Sequence, residues 1–197
     1  MNDNFNASRF WAYLNKLLVE RWRTNLLRVA ILFGCMVIIE LWMASVSYDR
    51  DETSYDRAVG ILLPIFSIIL LVSGCFFASE MLSGARRKAE RIGALTFPVT
   101  PFENWLARWT ISIPLYLVCF LVCMYVADGL RVAFFSAIYP KTPFEFILIG
   151  RRGDYDGEVF LNAWLMYFWC TAVYALGSIL FVKRSILKTT LTLFILF

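Results

Sequence analysis

Long apolar stretches alternate with short charged ones along this 197-residue chain. Four runs stand out: Val29–Ser47, Ala58–Ser79, Trp109–Ala127 and Val159–Val182. Glu40 is the one charged residue in any of them. An α-helix rises about 1.5 Å per residue, so roughly 20 apolar residues cross a hydrocarbon core of about 30 Å. Each run meets that length. Barrel strands would alternate apolar and polar residues over about ten positions, whereas these runs are continuous. The pattern predicts an all-α fold, a polytopic transmembrane helical bundle forming a single membrane domain. Its spans fall at 27–47, 58–79, 107–127 and 159–182. A fifth apolar segment, 185–197, is too short for a full span and reads as half-inserted or as the start of a span in a longer protein.

Ahead of the first run, Phe10, Trp11, Leu14, Leu18 and Trp22 recur at helical spacing, with Arg9, Lys16, Glu20 and Arg23 between them. This predicts an N-terminal amphipathic helix over 5–26 that lies in the membrane interface. The alternative is a helix packed on another protein. The segment lacks the short apolar core and cleavage site of a signal peptide, so the first span is expected to act as its own insertion signal.

The charges orient the chain. Arg9, Lys16, Arg21, Arg23 and Arg28 precede the first run, and Arg86, Arg87, Lys88, Arg91 and Arg108 follow the second. Lys183, Arg184 and Lys188 follow the fourth. The other two connections hold more Asp and Glu. Lysine and arginine mark the cytoplasmic side, which places the N-terminus in the cytoplasm. The net charge of +4 is therefore a membrane-facing collar, and no nucleic-acid partner is expected. A composition 60% hydrophobic and 17% charged excludes a soluble globular monomer. Trp105, Trp109 and Trp164 sit where interfacial depth anchors are expected, and Pro64 and Pro114 fall inside spans, where proline kinks a helix.

Several chemistries are missing. There is no histidine, which excludes serine–histidine catalysis and histidine metal or haem ligation. There is no phosphate-binding GxxxxGK[ST] loop. Cys35, Cys75, Cys119, Cys123 and Cys170 all lie in the apolar runs without CxxC spacing and read as small buried hydrophobes. Asp154-Tyr155-Asp156-Gly157-Glu158 lacks the remaining ligands of a calcium loop. No catalytic residue, cofactor or metal is expected.

Two features carry functional weight. Glu40 is an intramembrane acid, placed to line a substrate path or a proton relay, or else to snorkel or pair with a neighbouring helix. The connection 80–106 begins as a short basic helix and ends in Thr100, Pro101 and Glu103, the residue types of an N-cap, a first helical position and a capping box. It is suited to pass force from a soluble partner into the third span. The connection 128–158 reads as an extracytoplasmic loop with Phe134, Phe135 and Ile138 on short surface helices.

The stretch Leu95-Thr96-Phe97-Pro98-Val99-Thr100-Pro101-Phe102-Glu103 resembles the segment after the second span of ABC type-2 exporter permeases, matching at Pro98, Val99, Thr100 and Glu103. Leu106-Ala107-Arg108-Trp109 is similar to a Bacteroidetes-like subgroup of that family. Ala89 and Glu90 stand where the family has glycine and threonine, and family members have six spans. The resemblance implies a bacterial inner-membrane location, a separate ATP-binding subunit and a homo- or heterodimer of permeases with substrate passing between the copies. It implies a coupling site at Arg86, Arg87, Lys88, Glu90, Arg91 and Pro98 that docks on the ATPase. The expected function is thus the permease subunit of an ATP-driven exporter. The alternative is a non-transporting integral membrane scaffold or assembly factor.

Overall fold

The structure, a computed structural model, describes residues 5–20, 22–48, 54–80, 99–138, 146, 157–181 and 185–196. Every element among the described residues is helical. In chain order they are α1 (Ala7–Glu20), α2 (Trp22–Tyr48), α3 (Ser54–Glu80), α4 (Pro101–Thr110), a π-helical turn (Ile111–Leu115), α5 (Tyr116–Ile138), α6 (Gly157–Leu180) and α7 (Ser185–Leu196). Among the described residues two helices are long and apolar enough to cross a membrane: Trp22–Val46, and the continuous 38-residue helix Pro101–Ile138 made of α4, the π turn and α5. They become three if Trp164–Leu180 and Ser185–Ile195, bent at 114°, form one broken span. Within α3, Pro64–Glu80 is a shorter apolar helix.

Local chemistry explains where the long helix starts and where it deforms. Thr100 has extended backbone angles (φ −68°, ψ 152°), and its side chain accepts from the Glu103 amide at 3.2 Å. The Glu103 carboxylate in turn accepts from the Thr100 amide at 3.0 Å, which closes the capping box. Pro101 sits just inside the start, where its missing N–H costs nothing. Further along, Pro114 lies inside the π turn. A proline ring clashes with the carbonyl four residues back and removes one helix hydrogen bond, and a wider turn absorbs both defects. The expected kink is therefore a local π bulge that the helix runs through.

The chain divides into two compact units. The first takes in the described residues within Met1–Asn25, Leu71–Leu117 and Leu165–Phe197. There Phe77 stacks on Tyr116 with ring centroids 4.4 Å apart, and Ser73 and Tyr116 share a hydrogen bond. Gly74 lets α3 approach α6 closely: a Cβ there would stand 2.7 Å from Tyr167 Cε2. Tyr167, fully buried, donates to the Ile113 carbonyl of the π turn at a long 3.4 Å. A second close approach joins α6 to α7, where a Cβ at Gly177 would collide with the Thr189 side chain. Tyr174 and Thr190 add a hydrogen bond of 2.8 Å between the same two helices.

The second unit takes in Leu26–Leu70 and Val118–Trp164. Its core has a helical period on three elements. Met36, Glu40 and Ala44 form one buried face of α2, and Leu62 and Phe66 one of α3. On α5 the buried stripe is Phe120, Cys123, Met124, Ala127, Asp128, Arg131 and Phe135. Steps of three and four keep all seven on one side of the helix. Residues 128–138, read from the sequence as the start of an outer loop, are thus the last turns of α5. The apolar run ends at Asp128, but the helix and its buried face continue because Arg131, one turn on, neutralises that aspartate.

Candidate functional site

Two glutamates, Glu103 and Glu40, are fully buried, with 0% of their surface exposed, and their surroundings differ completely. Glu103 is held from three directions. Arg9 Nη2 donates to Oε1 at 2.7 Å, and Arg9 Nε donates to Oε2 at 2.9 Å and Oε1 at 3.2 Å. The Asn6 amide donates to Oε1 at 2.9 Å, and the Thr100 amide completes the set. One carboxylate therefore caps α4 and anchors the entry of α1. Next to it, Tyr13 donates its hydroxyl to Asn104 Oδ1 at 2.9 Å, and Arg108 donates to the same oxygen at 2.9 Å.

At 1.5 Å per residue, the 38 residues of Pro101–Ile138 extend about 57 Å. A hydrocarbon core of about 30 Å covers only part of that length, and the polar first turn, which holds Glu103, precedes the apolar run that begins at Trp109. The Arg9 guanidinium holds the Glu103 carboxyl well below the usual carboxylate range, at about 2. Burial pulls the other way, and the Asn6 and Thr100 amides add to the lowering. At neutral pH this group is an anion committed to structure.

Glu40 has no such partners. Neither carboxylate oxygen makes a hydrogen bond. Asp128 and Arg131 lie within electrostatic reach of it. Those two are themselves paired: Arg131 donates to Asp128 Oδ1 from Nε at 2.8 Å and from Nη2 at 2.6 Å, with 1% and 5% of their side chains exposed. Buried polar atoms are nearly always hydrogen-bonded, so an exposed-to-nothing carboxyl in a core is an exception that asks for a cause. Sequence reasoning found Glu40 but not its two neighbours. The signal available was the i, i+3 spacing of Asp128 and Arg131 in phase with Phe120, Met124 and Phe135.

The expected coupling residues Arg86, Arg87, Lys88, Glu90, Arg91 and Pro98 lie outside the described residues. The capping residues that follow them stand as the sequence predicts. Trp105 and Trp109 stack at 6.4 Å along α4. All five cysteines are free; Cys123 is buried and Cys35 exposed. Among the described residues no cluster of three or more metal-ligating side chains occurs.

No protein-family model, no curated protein and no solved structure matches this chain. The class that the described residues define is an all-helical fold with two or three helices of membrane-crossing length and apolarity.

Proposed function

We propose that the chain is a multi-pass inner-membrane protein that serves as the permease subunit of an ATP-driven exporter. It has no catalytic residue of its own and converts movements of a partner ATPase into helix rearrangement. The observation that carries this reading is the Arg9–Glu103 clasp. It fastens the N-terminal helix to the first turn of the long helix that leaves the basic connection 80–106. A capped and clamped helix end transmits a push, whereas a frayed one absorbs it. Force received at Arg86, Arg87, Lys88, Glu90 and Arg91 enters α4 at that point, and α1 moves with it.

The surface suits a bilayer. Leu27, Ile31, Ile38, Trp42 and Val46 are all exposed on α2, as residues facing lipid are. On α1, Trp11 and Val19 are exposed while Tyr13 and Leu14 are buried. That leaves apolar side chains free to dip into the headgroup zone, as an interfacial helix requires. The close approaches at Gly74 and Gly177 are of the kind by which helices pack where no hydrophobic force drives them together.

The test is to purify the full-length protein in mild detergent and identify what accompanies it by mass spectrometry. The permease reading expects a stoichiometric nucleotide-binding subunit that is lost on charge reversal at Arg86 and Arg87. A stable partner without ATPase activity, unaffected by that reversal, contradicts it and makes the chain a membrane scaffold.

A further inference from the structure

We propose that Glu40, on the buried face of α2, is a site that binds and releases one proton. This goes beyond the permease reading and stands whether or not an ATPase partner exists. The geometry supplies two independent observations. The Glu40 side chain is wholly buried with both oxygens unpartnered. Within electrostatic reach of it, the Arg131 guanidinium is already engaged twice by the single oxygen Oδ1 of Asp128.

Charge counting among the described side chains then points to what the site accepts. Besides Glu40, the described side chains of this unit that carry charge are Arg28, Asp128 and Arg131. Arg28 lies twelve residues before Glu40 on the same helix, about 18 Å along its axis. Asp128 and Arg131 sum to zero, so among the described side chains of this unit an ionised Glu40 adds a negative charge that this pair does not offset. A buried charge without partners neutralises itself in preference to staying ionised. One proton from water, added to a Glu40 carboxylate oxygen as an O–H bond, brings the group to neutrality, and no electrons move. When the proton leaves, two carboxylates compete for one guanidinium. Arg131 is then drawn between α5, which carries it, and α2, which carries Glu40. The protonation state is thereby converted into a change in how these two helices hold each other.

Infrared difference spectroscopy of the full chain in lipid nanodiscs tests this. The wild-type protein should show the carbonyl band of a protonated carboxylic acid at neutral pH. The band should move in D2O, shift again on ¹³C-glutamate labelling, and disappear in Glu40→Gln. It should persist in Glu20→Gln, which removes an exposed carboxyl. Titration of the band should coincide with a change in the arginine guanidinium modes, and that change should be absent in Glu40→Gln. A wild-type spectrum with no protonated glutamic acid at neutral pH overturns the proposal, even if the variant fails to fold. A band that survives in folded Glu40→Gln overturns it as well.

Discussion

Glu103 and Glu40 make a controlled comparison within one molecule: the same side chain, equally buried, in two regions of one helical chain. Around Glu103 every acceptor position is used, by a guanidinium and by two backbone amides. Around Glu40 none is. A carboxylate that is fully paired behaves as part of the scaffold, since removing it orphans all its donors. A carboxyl with no partner contributes nothing to the fold that a neutral side chain of the same shape would not. On the proposed reading, its presence in a core reflects proton binding and not stability. The two glutamates thus separate the part of the protein that holds position from the part poised to change state.

The largest effect is expected at Arg131, a cation within electrostatic reach of Glu40. Arg131→Ala leaves the Asp128 carboxylate buried without its guanidinium, which costs about 3–5 kcal/mol when one partner of a buried pair is removed. Thermal unfolding in detergent measures this. A loss well below that range would mean that Asp128 is satisfied by something other than Arg131, and the contrast with Glu103 would weaken.

At the start of α4, Thr100→Ala removes one half of the capping box but leaves the Arg9–Glu103 pair in place. The expected loss is about 1 kcal/mol. Hydrogen exchange at the start of α4 should rise while that of α1 stays as in the wild type. If both rise together, the cap and the clasp are one cooperative unit, which sharpens the contrast with Glu40.

Acid should act on one glutamate's region in a defined direction. The Glu103 carboxyl is lowered from 4.5 to about 2, chiefly by Arg9. Its contribution is therefore fully present above about 4.5 and is lost as pH falls from there through 2. Exchange protection in α1 should hold from neutral pH down to about 4.5 and decline below it. In Glu103→Gln this acid-dependent step should be gone.

How much of this was legible in the sequence depended on the range of the interaction. The apolar runs foretold α2, α3 and α6 because helix length and apolarity are local properties. The N-cap at Thr100 was legible for the same reason, its three residues being contiguous with the helix they start. The second role of Glu103 was not. Its partner Arg9 lies 94 residues away, and on its own helix Arg9 reads as one more cation on a polar face. Asp128 and Arg131 were assigned to a loop because charge ends an apolar run, although a paired charge does not end a helix. The isolation of Glu40 could not be read at all, since a missing partner is a property of the assembled core and not of any segment.

The division of labour between the two glutamates is tested most directly by paired melting curves of Glu40→Gln and Glu103→Gln at neutral pH in the same detergent. The prediction is that Glu103→Gln lowers the midpoint clearly, because an uncharged amide cannot replace the anion that Arg9 and the two backbone amides surround. Glu40→Gln should leave the midpoint unchanged or raise it slightly, as expected when an already protonated, unpartnered acid is replaced by a neutral side chain of the same shape. A destabilised Glu40→Gln beside an unaffected Glu103→Gln would reverse the assignment of structural and responsive roles.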